Sequence, residues 1–366
     1  MKYIDEFRDP DQARILLQRI TKLADQVASL RSTPLQIMEF CGGHTHTVFR
    51  YGIEQVIPKS IELVHGPGCP VCVLPREAVD HCVAIAERPD VIMTTFGDAM
   101  RVPGSRKNLL QAKAEGADVR MVYSPLDALS IARNSPDKEV VFFALGFETT
   151  MPSTALTLQQ AYGERLQNFS VLCHHVTTPP VLTEILQDNQ LQLDGFIAPG
   201  HVAMIIGEQP FQFVACDYGK PLVISGFEPV DVLQAMLMLL TQIHQGRSQV
   251  ENQYLRVVRQ SGNASAQLAL CEVFEIGEKV TIRDRYAPFD AMVRFAGHCQ
   301  SDALPESISE PSYCAEVLKG RIRPLQCPLF GKHCSPSDPQ GALMVSSEGA
   351  CAAYYQYGKA EAMAEI

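Results

Sequence analysis

The chain predicts an α/β protein with two parallel-sheet α/β domains and a loop-rich C-terminal region. Three observations predict it. Short apolar runs alternate with helix-compatible runs from about residue 36 to residue 244, the pattern of strands alternating with crossover helices. Runs such as Glu139 to Leu145 are almost wholly apolar, as strands covered on both faces are. After Val250 the texture changes to short mixed strands and then to loops in which cysteines recur. We expect boundaries at 1–135, 136–250 and 251–366. A single eight-stranded barrel competes, but the first helix has no strand before it and the alternation stops after Val250.

Taken in order, the apolar positions Ile15, Leu16, Ile20, Leu23, Val27 and Leu30 predict a helix over 11–30 with an acidic start. Pro34 stops it. Strands are then predicted at 36–40, 61–64, 91–95 and 118–123. Ser124-Pro125 reads as an N-cap followed by a first-turn proline. The second series places strands at 139–145, 169–173, 195–198 and 221–225, and a long helix over 230–244. The turn Gly-Phe-Glu occurs twice, at 146–148 and 226–228. Further strands are expected at 254–259 and 278–283.

The chain has 366 residues, ample for a sizeable core. A formal net charge of -10 argues against a broad nucleic-acid face, which needs clustered Lys and Arg. No apolar run approaches the roughly 20 residues of a membrane span, and the charged segment 1–10 does not read as a signal peptide. A cytoplasmic location is expected. In that reducing setting twelve cysteines point to metal binding or redox chemistry rather than structural disulfides. Cys82, Cys173, Cys216 and Cys271 lie in apolar runs and read as core residues.

The rest group. Cys41-Gly42-Gly43-His44-Thr45-His46 and His65-Gly66-Pro67-Gly68-Cys69-Pro70-Val71-Cys72 each follow an apolar run. Ligands in open α/β sheets collect at the carboxyl ends of strands. Gly42 and Gly43 permit close approach by a ligand. His44, His46 and His65 offer ligands, bases or thiolate partners. Cys69 and Cys72 form a C-x-x-C pair able to close a small disulfide ring, and a nearby helix N-terminus would favour the thiolate. Half of a zinc knuckle is the alternative. Glu148, in Gly-Phe-Glu-Thr-Thr, reads as a cap for the next helix or as a reactive group, and His201, in Pro-Gly-His, as a weaker site residue.

Cys314, Cys327, Cys334 and Cys351 are separated by 12, 6 and 16 residues, with Cys299 a fifth thiol in the same region. Four thiolates hold zinc or an iron–sulfur cluster, and this spacing matches neither paired zinc knuckles nor common ferredoxin patterns. The segment 324–336 has too few apolar residues to fold on buried area, so a metal centre would supply the cross-link.

The blocks at 41–46, 66–72, 146–150 and 199–202, with the tail blocks 327–334 and 344–355, resemble the HypD family over about residues 30–357. Its members are iron–sulfur scaffold proteins of [NiFe]-hydrogenase maturation. The resemblance implies a redox-active assembly scaffold for the Fe(CN)2CO group, rather than a conventional turnover enzyme. It implies a stable complex with HypC and transient receipt of cyanide from HypE. It implies iron held by Cys41, a redox-active pair at Cys69 and Cys72 close to the iron, and a [4Fe-4S] cluster in the tail. Where many relatives carry a further tail cysteine this chain has Leu343, which points to Cys314, Cys327, Cys334 and Cys351 as cluster ligands. Two other readings are an iron–sulfur-dependent protein disulfide oxidoreductase and a structural zinc protein.

Overall fold

The strands sort into two parallel sheets whose membership does not follow their order in the chain. The computed structural model describes residues 5–188, 190–276, 282–284 and 313–358. In the first sheet β1 (Leu35–Glu39) lies between β2 (Ile61–His65) and β7 (Gly195–Pro199). Next come β8 (Leu222–Ser225) and β9 (Val250–Asn252). Met38 stands in register with Val64 on one side and Phe196 on the other. The second sheet has the order β4 (Val119–Met121), β3 (Val91–Thr95), β5 (Glu139–Gly146), β6 (Phe169–His175). All neighbours within both sheets are parallel.

The α/β class with two parallel sheets is therefore what the sequence predicts, but residue 135 does not separate the sheets. β3 and β4 pair with β5 and β6, while β7 to β9 return to the sheet begun by β1 and β2. Parallel strands buried on both faces carry the same apolar run whichever sheet they join, so composition cannot assign partners. Among the described residues the chain crosses between lobes three times, the last after β9, where Ala269 and Val273 join the core of the second sheet. After β2 the turn at Cys69–Val73 leads into α4 (Arg76–Ala86), whose Val79 and Cys82 pack with Met93 and Phe143 of the second sheet. After β6 the chain enters α8 (Thr178–Leu186), whose Leu182 and Ile185 pack with Phe196 and Ile224 of the first.

Local chemistry explains the helices. Asp9 caps α1 (Pro10–Ala28) by accepting from the amides of Asp11 and Gln12, with Pro10 in the first turn. Leu16, Ile20, Ala24 and Val27 bury one stripe of α1 with Leu233, Met236 and Leu240 of α11 (Pro229–His244). Ser124 and Asp127 form a capping box at the start of α6 (Pro125–Asn134).

Two expectations are corrected. Residues 254–259 form no strand; the ladder takes only β9, and α12 (Ala264–Val273) follows, capped by Asn263. Phe274–Ile276 pairs antiparallel with Ile282–Asp284; of the strand expected at 278–283, residues 278–281 lie outside the described residues. Cys216 and Cys271 are exposed, and Cys173 of β6 is half-buried against the core of the second sheet; of the four cysteines expected in the core only Cys82 is fully buried. The segment at 42–46 opens helix α2 (Gly42–Arg50). Cys299 lies outside the described residues.

The tail fills the seam between the lobes. Val317, Leu343 and Met344 join the second lobe's core. The tail helix Ala350–Tyr357 packs on α2, with Tyr354 edge-on to Phe49 at 5.3 Å between centroids. Arg323 pairs with Glu62 at 2.9 Å and Arg321 with Asp188 at 2.6 Å, both on the first lobe.

Candidate functional site at the seam of the two lobes

Cys41 leaves β1 and caps α2 from an extended backbone, φ -149° and ψ 125°. It is buried. Its thiol is pushed well above the ordinary cysteine range, first by burial and then by the Glu39 carboxylate, while the amides of Gly43 and His44 at the helix start oppose the shift. Glu39, the last residue of β1, is itself buried and accepts from three donors. These are the Cys41 amide at 2.9 Å, the Thr45 hydroxyl, and His65 Nδ1 at 2.7 Å. Burial pulls the His65 pKa down, but the hydrogen bond to Glu39 and the Glu54 carboxylate 3.4 Å from Nε2 outweigh it and raise the value to about 9. A buried imidazolium thus balances a buried carboxylate directly behind Cys41.

His201 begins the turn after β7, in helix α9 (Gly200–Ile206), and comes against Cys41 across the sheet. Both its ring nitrogens, Nδ1 and Nε2, lie 3.8 Å from Cys41 Sγ. Phe227, in the turn after β8, lies between two imidazoles, with its centroid 4.9 Å from His201 and 4.8 Å from His44. His44 is buried and donates from Nε2 to Gly226 O at 2.9 Å, leaving Nδ1 without a hydrogen-bond partner. Burial lowers the pKa of His44, and burial with the neighbouring His44 takes His201 down to about 4. A Cβ on Gly43 would stand 3.0 Å from Phe227 Cδ1 and 3.6 Å from Cys41 Sγ, so the glycine lets the Phe227 ring pack close beside the sulfur.

Gly68 brings the second cysteine motif to the same place. A side chain there would overlap Cys41 Cα and N, so the loop after β2 lies directly on the backbone at Cys41. Cys69 and Cys72 follow in a tight turn closed by Cys72 N donating to Cys69 O at 3.0 Å, and both are buried free thiols. The helix expected to follow them is α4, which starts at Arg76 after Pro75. The Cys72 thiol is pushed well up, first by burial, then by its hydrogen bond and charge coupling to Cys69 and by Cys314 and Cys351.

Cys314, Cys327, Cys334 and Cys351 line one cavity of about 530 Å³ in the tail. Burial and the other tail thiols raise the pKa of Cys351, as burial does that of Cys334. The amide of Gln340 donates to Cys334 Sγ at 3.4 Å. Gly341 sits so close to Cys314 Sγ that a Cβ would clash. Among the described residues no three His, Cys, Asp or Glu side chains converge on a single-ion position. Four thiols around one cavity are a donor set that could hold either an iron–sulfur cluster or zinc.

Of the other sequence-derived residues, His46 is separate from the Cys41 sulfur and packs edge-on to Tyr357 at 5.6 Å. Glu148 is buried and accepts from Thr178 N and Oγ1, both at 2.7 Å; it caps α8 of the other lobe, not the helix that follows it in sequence. Glu39 is the site residue that the sequence reading missed. Its signal was a carboxylate inside the apolar strand immediately before Cys41.

Among the described residues no helix is long and apolar enough to cross a membrane. The family model HypD, described as the hydrogenase formation hypA family, matches residues 11–358. The chain is 55% identical over 376 residues to hydrogenase maturation factor HypD of Rhodobacter capsulatus, covering 99% of this chain and all of that protein. It is 48% identical to hydrogenase maturation factor HypD of Escherichia coli strain K12 over the full length of both. With hydrogenase maturation factor HypD of Rhizobium leguminosarum bv. viciae it shares 47% identity over 98% of this chain and 96% of that one. With the family model spanning nearly all of its length and relatives this similar, the chain belongs to the HypD family of hydrogenase maturation factors.

Proposed function

We propose that the chain is a redox-active scaffold on which the Fe(CN)2CO group of a [NiFe]-hydrogenase is assembled. The iron fragment is cargo, held through Cys41 Sγ in a complex with HypC, and cyanide is received from HypE. The observation that carries this reading is the packing of Gly68 on Cys41, which sets an iron-binding thiol and the Cys69/Cys72 dithiol on one seam. Low-spin iron with cyanide and carbonyl ligands is soft, and thiolate suits it.

Each residue has a task. Cys41 must lose its proton to bind iron; burial resists this, and the iron's charge together with the α2 amides favours it. Glu39 and His65 fix the Cys41 backbone from behind. Oxidation of the Cys69/Cys72 dithiol to a disulfide releases two electrons and two protons to the iron fragment or its ligands, and re-reduction takes the same number back. A [4Fe-4S] cluster bound by Cys314, Cys327, Cys334 and Cys351 would supply single electrons beside Cys72. The carbon monoxide source and the electron donor are separate from this reading.

The alternative is an iron–sulfur-dependent disulfide oxidoreductase acting on an external protein through the Cys69/Cys72 pair. The test is infrared spectroscopy of the anaerobically co-purified complex with HypC. Cyanide and carbonyl bands support the scaffold. Turnover of a protein disulfide by material free of those bands supports the reductase instead.

A further inference from the structure

We propose that His201 is a specificity-determining residue that donates a hydrogen bond to a cyanide of the iron cargo. This inference rests on the scaffold reading above. It starts from the geometry at Cys41, where both ring nitrogens of His201 stand 3.8 Å from Sγ. A ring placed symmetrically in this way does not direct one N–H at the sulfur. Neither nitrogen has another hydrogen-bond partner among the described residues. An imidazole carries at least one N–H donor whether neutral or protonated, so a donor is always present.

The ring is held in place. It tilts over Phe227 at 37°, and Phe227 is in turn stacked on the buried His44. Gly43 puts no side chain of its own between the sulfur and the Phe227 ring. Any iron bound to Cys41 Sγ therefore presents its other ligands to a wall made of one imidazole and one phenyl ring. Iron-bound cyanide carries a basic nitrogen lone pair at its outer end, whereas the oxygen of iron-bound carbonyl is a poor acceptor. The imidazole edge favours cyanide, and the phenyl face tolerates carbonyl. A site with a placed donor rejects ligands that leave the donor unpaired far more strongly than an apolar wall can. His201 would thus distinguish iron that has received cyanide from iron that has not.

The experiment is infrared spectroscopy of the full-length chain co-purified anaerobically with HypC, in water and in deuterium oxide, for the wild type, His201→Phe and His201→Gln. Phenylalanine keeps the ring and removes the donor; glutamine keeps a donor. In the wild type the cyanide bands should move on transfer to deuterium oxide while the carbonyl band stays. In His201→Phe the bands should persist, the cyanide bands should be shifted, and their isotope effect should be lost. His201→Gln should retain it. Cyanide bands unmoved in His201→Phe, or a wild type without an isotope effect, would overturn the proposal. So would loss of iron from both variants with unchanged melting, since that points to direct iron ligation by the imidazole. None of these outcomes removes iron binding by Cys41, which is tested separately by replacing that cysteine.

Discussion

Gly68 lies on the backbone of Cys41, so closely that even a methyl group has no room between them. This contact joins the end of β1 to the loop after β2 and fixes where Cys69 begins. Gly68→Ala must push the loop away from Cys41. Overpacking of this kind costs about 3 kcal/mol or more where backbone rather than a flexible side chain stands in the way. Thermal melting should show a clear loss of stability. Alkylation of the folded variant should find Cys69 and Cys72 more reactive than in the wild type. Melting and reactivity equal to the wild type would show that the two segments are not in contact.

The Glu39–His65 pair makes stability depend on pH in a defined direction. The folded pKa of His65, about 9, is above the ordinary histidine value near 6.5. Its contribution is fully present below pH 6.5 and is lost as the pH rises through 9. The difference corresponds to about 3 kcal/mol. Chemical denaturation of the wild type should show stability falling over that interval. His65→Gln should be less stable at pH 6.5, where it leaves Glu39 buried without a cationic partner, and should lack most of the slope. The depressed values of His174, His175 and His201, each about 4, act at the other end. Their unfolded forms take up protons that the folded chain does not, so stability should also fall from pH 6.5 towards 4.

Glu148 ties the second lobe to the first through two hydrogen bonds to Thr178. Beside it, Phe147 inserts into the core of the first lobe. Glu148→Ala strands a buried amide and hydroxyl and should cost about 2 kcal/mol. Glu148→Gln, which keeps one acceptor oxygen, should cost less. Calorimetry that resolves the same transition for wild type and Glu148→Ala would contradict this role.

The tail offers a test by metal analysis. Cys314→Ala or Cys351→Ala should lose iron and acid-labile sulfide together. Residues 313–358 should become sensitive to protease while the two sheets stay folded. Anaerobically purified wild type containing zinc and no sulfide would contradict the cluster assignment.

Much of this organisation is legible in the sequence, because it is local. The cap at Asp9, the box at Ser124 and the strand runs each arise from neighbouring residues. The strands that present Cys41 and Cys69 could be read because Gly-rich turns follow apolar runs. Sheet membership could not, since it depends on which apolar strand meets which. His201 illustrates the same limit: 160 positions separate it from Cys41, and only the pairing of β1 with β7 brings them together. The exposed positions of Cys216 and Cys271 were hidden for a related reason, as an apolar neighbourhood in sequence does not fix which way a side chain faces.

Replacing Cys41 bears most directly on the whole account. Infrared spectra of the complex with HypC, purified anaerobically, should show cyanide and carbonyl bands in the wild type. In Cys41→Ala those bands should vanish while the brown absorbance and sulfide content of the tail remain. Cyanide and carbonyl bands of undiminished strength in Cys41→Ala would mean that the iron is anchored elsewhere.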